Sequence, residues 1–282
     1  MIHAIASTIT IAGLTVKEAL RRRFALAAIV IALLYGALAY LPIHGRHHMF
    51  LDPASMAQLT DALLVTRGAS TIDFFGFVFS VAIAAGLIST ELEKGVLAVI
   101  APKPISRGVI FTGKWLGAVL FVVPCMALWC ALLQTAIVAH VHHEDPSLWQ
   151  AFPAMCLYPV TFVSLTMLFS AVASSILSTV MPLILASVAW SYTILKTLGY
   201  LFDIESLKLA ARIVAVCAPL NPMSRWVEHW IHPEILTRFS MMSPRFGPAE
   251  PAASTWDLVW IAAYSAIAFG AGLAMFQRRD IS

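Results

Sequence analysis

Six long apolar blocks, nearly free of charged side chains, constrain the fold of this chain more than any other feature. A helix needs about 20 mostly apolar residues to cross a bilayer. We therefore expect an all-α integral membrane protein with six transmembrane helices, built as a single transmembrane domain over residues 1–282. The predicted spans are residues 24–43, 72–89, 115–139, 152–176, 180–201 and 258–276.

Composition agrees with a membrane protein and excludes several other classes. Hydrophobic residues make up 60% of the chain and charged residues 12%, with a mean hydropathy of +0.84. Soluble domains are roughly half apolar and a quarter charged. A formal net charge of +3 is too small to indicate a nucleic-acid partner. The four cysteines have no spacing typical of a disulfide framework or a zinc site.

The positions of lysine and arginine predict the orientation of the spans. Cytoplasmic loops of membrane proteins carry an excess of basic residues. If the N terminus is cytoplasmic, the opposite side is net acidic apart from one long loop, so we expect both termini in the cytoplasm. The cytoplasmic basic residues are then Lys17, Arg21, Arg22, Arg23, Lys94, Lys103, Arg107, Lys114, Arg278 and Arg279.

Residues 1–23 are predicted to form an amphipathic helix in the membrane interface. Apolar residues recur there at steps of three and four, which places them on one helical face. The basic cluster at the end of this segment would contact lipid phosphates. A simple cytoplasmic extension of the first span is the alternative interpretation. The apolar positions are Ile2, Ile5, Ile9, Ala12, Val16 and Leu20.

The segment 202–256, between the fifth and sixth spans, is predicted to be external and to contain short helices. The stretch 207–218 is apolar but carries Lys208 and Arg212, so it is too short and too charged to span. The stretch 225–239 is rich in tryptophan and other apolar residues, which is typical of the membrane interface. Prolines at positions 219, 222 and 233 are expected to separate these helices.

The cytoplasmic loop between the second and third spans has the most informative pattern, ELEKGVLAVIAPKPISRGVIFTGK over residues 91–114. Glu91, Glu93 and Lys94 place charges at the end of the second span, and Gly95 permits a sharp exit from the helix. A short apolar run follows at residues 96–100. We expect a short coupling helix here, with an apolar surface that a soluble partner could bind.

The end of this loop is predicted to start a new helix. Pro102 and Pro104 favour a turn, and Ser106 is a residue type that caps helix N-termini. The new helix would run through Arg107 and Lys114 into the third span.

These residues resemble the permease subunits of type-2 ATP-binding cassette (ABC) exporters. Their usual pattern is an acidic pair, Gly-Thr, a short apolar run, Pro-(Ile/Leu/Val)-Ser-Arg and Gly-Lys. Val96 stands here where threonine is common. The likeness extends over the chain and is closest to the NosY-like permeases. The matching residues are Glu91, Glu93, Gly95, Pro104, Ile105, Ser106, Arg107, Gly113 and Lys114.

The resemblance implies an exporter half in the bacterial inner membrane, without an ATPase site of its own. A second copy of the chain and two ABC ATPase subunits would complete the transporter, and the ATPase subunits would hold ATP and magnesium. The complex would export a cargo or transmit force to a periplasmic accessory protein. The residues implied in coupling to the ATPase are Glu91, Glu93, Lys94, Gly95, Pro104, Ser106, Arg107 and Lys114.

Two further patterns look like ligand-binding motifs, but the residues around them argue against that function. Residues 108–114 match GxxxxGK, but Trp115 replaces the Ser or Thr that would hold magnesium, and the run enters a transmembrane helix. Histidines at 140, 142 and 143 are weak candidates for a metal site, because adjacent loop histidines lack a fixed ligand geometry. We therefore expect neither a nucleotide site nor a metal site in this chain.

Polar side chains within the spans are candidates for a transport pathway, since such groups are costly in a bilayer. Gln134 and Lys196 are the candidates here; Lys196 could instead pair with Asp73 or Asp203. A secondary transporter or channel is the main alternative to an ABC permease, although no inverted repeat is evident. A membrane protein with a metal site built from the external histidines is a further alternative.

Overall fold

The computed structural model describes residues 2–21, 24–39, 53–93, 106–141, 146–217, 220–231 and 253–279, and the regular elements in these ranges are all α-helices. This confirms the all-α class for the described part of the chain. In chain order the helices are α1 Ile2–Arg21, α2 Phe24–Ala39, α3 Pro53–Ala84, α4 Ser89–Glu93, α5 Arg107–Val141, α6 Ser147–Met155, α7 Leu157–Val172, α8 Ser175–Leu201, α9 Glu205–Cys217, α10 Leu220–Ile231 and α11 Thr255–Arg278.

Five described stretches are long and apolar enough to cross a membrane, and they correspond to the second to sixth predicted spans. The first predicted span coincides with α2, an apolar helix of 16 residues, and its continuation beyond Ala39 lies outside the described residues. The count of six therefore remains a prediction. The five stretches are Leu64–Glu91, Arg107–Ala139, Ser147–Val172, Ser175–Leu201 and Thr255–Arg278.

The second predicted span, 72–89, lies within the candidate membrane-crossing stretch Leu64–Glu91, but its helix is longer at the start and is interrupted near the end. The helix α3 already begins at Pro53, a residue favoured at the first helical position. Hydroxyl side chains of α3 bond their own helix, as Ser70 does by donating to the Thr66 carbonyl at 2.9 Å. The helix then ends at Ala84, and a turn at 85–88 separates it from α4.

The turn between the fourth and fifth spans also differs from the prediction, which placed it at 177–179. The chain turns at Ala173 and Ser174 instead, and α8 begins at Ser175. The Thr179 hydroxyl donates to the Ser175 carbonyl at 3.0 Å, and the Ser178 hydroxyl lies 2.8 Å from the same oxygen. Hydroxyl side chains bonded in this way fit within a helix, so their polarity is a poor sign of a turn.

The N-terminal helix α1 packs along the first half of α5 through glycines. A Cβ atom placed on Gly113 would lie 2.7 Å from Cβ of Ile11, and one on Gly117 would lie 2.6 Å from the Ala12 carbonyl oxygen. Small residues four apart let two helix backbones approach this closely. The predicted N-terminal helix is therefore a separate element attached to α5, and its position in the membrane interface remains a prediction.

The predicted short helices between the fifth and sixth spans are present as α9 and α10. Pro222 lies in the first turn of α10 and so does not break it, while Pro219 and Pro233 lie outside the described residues. The Arg225 guanidinium of α10 pairs with the Asp257 carboxylate of α11 at 2.6 Å. Asp257 also accepts from the Ser254 backbone N–H at 3.0 Å, so one carboxylate caps α11 and holds α10 against it.

We predict that Gly117→Leu destabilises the protein, whereas Gly13→Leu does not. A side chain at Gly117 would collide with the Ala12 backbone, but nothing lies within 4 Å of a Cβ on Gly13. Overpacking of this kind costs about 1–3 kcal/mol. The measurement is thermal unfolding of each detergent-purified variant. Equal melting temperatures for the two variants would contradict the close contact between α1 and α5.

Candidate coupling site at the base of the bundle

Glu93 and Ser106, which flank residues 94–105, lie at the same end of the bundle, and we call this end the base. There α4, α7 and α11 end and α5 and α8 begin. The predicted coupling residues Lys94, Gly95 and Pro104 lie outside the described residues. The other predicted coupling residues all lie at the base. They fix both roots of the 94–105 segment, by which we mean the two points where it joins α4 and α5.

Lys114 and Glu91 form an ion pair that joins the start of α5 to α4. The Lys114 ammonium also donates to the Leu87 carbonyl oxygen, in the turn that follows α3. The Lys114 side chain is 9% exposed and that of Glu91 is 24% exposed. A nearly buried ammonium requires such partners, because an unpaired charge in an apolar interior is costly.

Glu93 joins the same segment to the fifth span. Its carboxylate accepts a hydrogen bond from the backbone N–H of Ser175 at 2.9 Å, at the first residue of α8. The hydroxyls of Thr90 and Ser175 lie 3.3 Å apart beside this contact. A carboxylate at a helix N-terminus satisfies a free N–H group and interacts favourably with the helix dipole. Glu93 therefore connects α4 directly to the start of α8.

A buried serine contact, which the sequence did not reveal, secures the turn between α3 and α4. The Ser170 hydroxyl of α7 accepts from the Ser89 backbone N–H at 3.0 Å and donates to the Ala85 carbonyl at 2.9 Å. Ser178 of α8 donates to the same Ala85 carbonyl at 2.7 Å. Serines inside the apolar blocks were the only available signal, and serines in helices commonly bond their own backbone.

The other root of the segment is tied to the C-terminal helix. The predicted cap is confirmed, since the Ser106 hydroxyl accepts from the Val109 N–H at 3.4 Å. Arg107 donates to the carbonyl oxygens of Gln277 and Arg279 at 3.0 and 2.6 Å. Arg279 in turn donates to the Ala171 carbonyl at 2.8 Å. Arginines thus satisfy free carbonyls at the ends of α11 and α7, where the helix dipoles favour positive charge.

The GxxxxGK run at 108–114 lies wholly within α5. A phosphate-binding loop presents free backbone N–H groups to the phosphates, and a helix interior uses those groups in its own hydrogen bonds. Gly113 instead contacts α1, and Lys114 is bound to Glu91. The helical geometry agrees with the expectation that this run does not bind nucleotide.

The other sequence candidates do not converge on one place. His142 and His143 lie outside the described residues, as does the side chain of His140. The described residues contain no group of three or more potential metal ligands among His, Cys, Asp and Glu. The Gln134 side-chain oxygen, in α5, is buried and has no hydrogen-bond partner among the described residues.

Lys196 does not form the predicted pairs with aspartate. Its ammonium lies 5.9 Å from the ring centroid of Tyr192, one helical turn away. Asp203 pairs with Lys208 at 2.6 Å, and that hydrogen bond holds the pKa of the exposed Asp203 carboxyl below its usual value. Asp73 is buried elsewhere in the bundle, so the two aspartates have distinct environments.

We predict that Lys114→Met lowers the free energy of unfolding and that adding Glu91→Gln recovers part of the loss. Removing one partner of a buried ion pair costs about 3–5 kcal/mol. Because Glu91 is 24% exposed and partly hydrated, we expect about 1–3 kcal/mol. The measurement is a double-mutant cycle by denaturation in detergent, with the Asp203–Lys208 pair, whose carboxylate is 89% exposed, as control. Strictly additive losses at positions 91 and 114 would contradict a coupled pair.

Comparison with known proteins identifies the family of the chain. A family model described as ABC-2 family transporter protein matches residues 9–281, which is nearly the whole chain. No curated protein matches the chain. Members of this family are the membrane-embedded permease components of ABC transporters and function with ABC ATPase subunits. The chain therefore belongs to the ABC-2 family of transporter proteins.

Proposed function

We propose that this chain is the transmembrane half of an ATP-driven exporter in the bacterial inner membrane, with the 94–105 segment as the contact for the ATPase. Two copies of the chain would associate with two ATPase subunits, which would hold ATP and magnesium. The observation that carries this proposal is the attachment of both roots of the segment to separate helices. Glu93 binds the start of α8, and Arg107 binds the end of α11.

This arrangement suits the transmission of force. A displacement of the segment would act on α8 through Glu93 and on α5 and α3 through the Lys114 contacts. Helices joined by direct hydrogen bonds move together more readily than helices joined only by loops. ATP binding shifts such a permease only if the ATPase contacts differ between its two conformations. The same linkage would serve either export of a cargo or force transmission to a periplasmic partner.

The proposal orients the base toward the cytoplasm. Three of the basic residues predicted to be cytoplasmic lie there, through contacts with α11, α4 and α7: Arg107, Lys114 and Arg279. The soluble ATPase would then meet the 94–105 segment directly. The external end would carry α9 and α10.

A second copy has apolar surface available on this chain. The helices α8 and α11 bury only a small part of their apolar side chains against the rest of the bundle. Ile184 and Leu185 on α8, and Ile267 on α11, are exposed. Lipid and a second copy would share these surfaces in the proposed homodimer.

We predict that Glu93→Gln and Arg107→Ala uncouple the ATPase from the permease. The purified chain should capture an ABC ATPase from the source membrane, and ATP hydrolysis by the complex should respond to the permease. Each variant should keep the captured ATPase but lose most of that response. Glu93→Gln removes the charge that strengthens the contact with the start of α8, and Arg107→Ala removes the donor to the end of α11.

Matched controls are Glu205→Gln and Arg212→Ala, which change exposed residues of α9 at the other end of the chain. Both should behave as the unchanged protein does. Thermal unfolding of all four variants separates loss of coupling from loss of folding. Failure to capture any ATPase would contradict the proposed function. Unchanged hydrolysis in the Glu93 and Arg107 variants would contradict the proposed route of coupling.

A further inference from the structure

A cavity of about 310 Å³ lies at the opposite end of the bundle from the coupling site. Side chains from α3, α7, α8 and α10 line it. Small-molecule sites commonly measure about 300–1,000 Å³, so this volume suits a small ligand. None of the predicted coupling or pathway residues lines it.

Asp73 of α3 gives this cavity an unsatisfied acceptor. The residue is only 5% exposed, and its Oδ1 atom is buried with no hydrogen-bond partner among the described residues. The buried Thr66 hydroxyl, two turns earlier on α3 and also at the cavity, likewise has no described partner. Buried polar atoms in proteins are nearly always hydrogen-bonded, so two such atoms on one cavity wall make this cavity a candidate site for a polar ligand.

The charges around the cavity favour a cation. Asp73 and Glu228 are the charged residues among those that line it, and both are acidic. The basic residues of the surrounding helices do not line it: Arg67, Lys196, Arg225 and His229. Of these, Arg225 binds Asp257, and Lys196 lies over Tyr192. An ionised carboxylate in an apolar wall is costly without a counter-charge. A ligand that carries a positive charge would supply one.

Aromatic rings make up much of the rest of the wall. The Trp190 ring lies 5.3 Å from that of Phe74 and 5.4 Å from that of Phe77, between ring centroids. All three rings line the cavity, together with Tyr158. Aromatic faces attract organic cations, tryptophan most strongly. Metal ions instead require several oxygen, nitrogen or sulfur ligands, and the described residues contain no cluster of three acidic, histidine or cysteine ligands.

We propose that this cavity binds a small organic ammonium ion. The Asp73 carboxylate would accept a hydrogen bond from the ammonium N–H, and Thr66 would provide a second polar contact. The rings of Phe74, Phe77 and Trp190 would surround the apolar part of the ligand. The proposal goes beyond the proposed function and does not depend on it, because the named residues all belong to one chain and binding is measured without an ATPase or nucleotide.

The first test is calorimetric titration of the detergent-purified full chain with 2-phenylethylammonium at pH 7. Its neutral analogue, 2-phenylethanol, has a similar shape and no charge. We expect the ammonium ion to bind at least about tenfold more tightly, since it forms a charge-assisted hydrogen bond. Equal affinities for the two compounds would overturn the proposal.

The second test assigns the charge preference to Asp73. Asp73→Asn keeps the shape of the side chain and removes its charge, so affinity for 2-phenylethylammonium should fall at least about tenfold. Asp203→Asn changes an exposed carboxylate outside the cavity and should leave affinity unchanged. Unchanged affinity in a folded Asp73→Asn variant would overturn the proposal.

A third comparison tests the proposed site even if Asp73→Asn does not fold. Trp190→Leu should weaken binding several-fold, because it removes a ring from the cavity. Trp230→Leu removes an equally exposed tryptophan that does not line the cavity, so it is the matched control. Trp190 is 44% exposed and Trp230 is 42% exposed, so neither substitution opens a packed core. Equal affinities for these two variants would overturn the proposed site.

Discussion

The ion pair between Lys114 and Glu91 determines where the only described break in the second span can lie. Lys114 enters the bundle on α5 with its side chain 9% exposed, and its ammonium binds both Glu91 and the Leu87 carbonyl. The Leu87 carbonyl is available because α3 has already ended at Ala84. The turn at 85–88 and the buried lysine therefore require each other.

The remaining contacts of the base follow from that turn. Ser170 and Ser178 satisfy the backbone groups that the turn leaves exposed, and Glu93 is then positioned to cap α8. The segment 94–105 thus begins from an element bonded to three helices. It ends at Arg107, which is bonded to α11. In a permease that functions with an ATPase, this is the arrangement through which a force on one short segment could reach most of the bundle.

The two ends of the molecule differ in whether their polar side chains have hydrogen-bond partners. At the base, the described charged residues are largely paired with each other or with helix ends. At the other end, the Asp73 oxygen and the Thr66 hydroxyl have no described partner beside a cavity with aromatic walls. A saturated polar network stabilises structure, whereas an unsatisfied one is typical of a binding site. This contrast separates the proposed coupling site from the proposed ligand site.

The sequence predicted what depends on local pattern and missed what depends on tertiary contact. The length of the apolar blocks predicted the helical class and the second to sixth spans, and residue type predicted the cap at Ser106. The turn at 85–88 was missed because its serine partners come from α7 and α8. Gly113 and Gly117 form a small-residue motif that is visible in the sequence, but the prediction used only Gly113, in the GxxxxGK run and in the family pattern. The cavity at Asp73 depends on α10, whose placement no local pattern specifies.

The most direct test of the account is the distance between two spin labels placed at Ile176 of each copy in the complex with its ATPase. Ile176 lies at the start of α8, beside the Glu93 contact, and its side chain is 76% exposed. We expect the distance between copies to change when a non-hydrolysable ATP analogue is added, and the change to be lost in Glu93→Gln. A distance that is the same with and without nucleotide, or a change that persists fully in Glu93→Gln, would contradict coupling through Glu93.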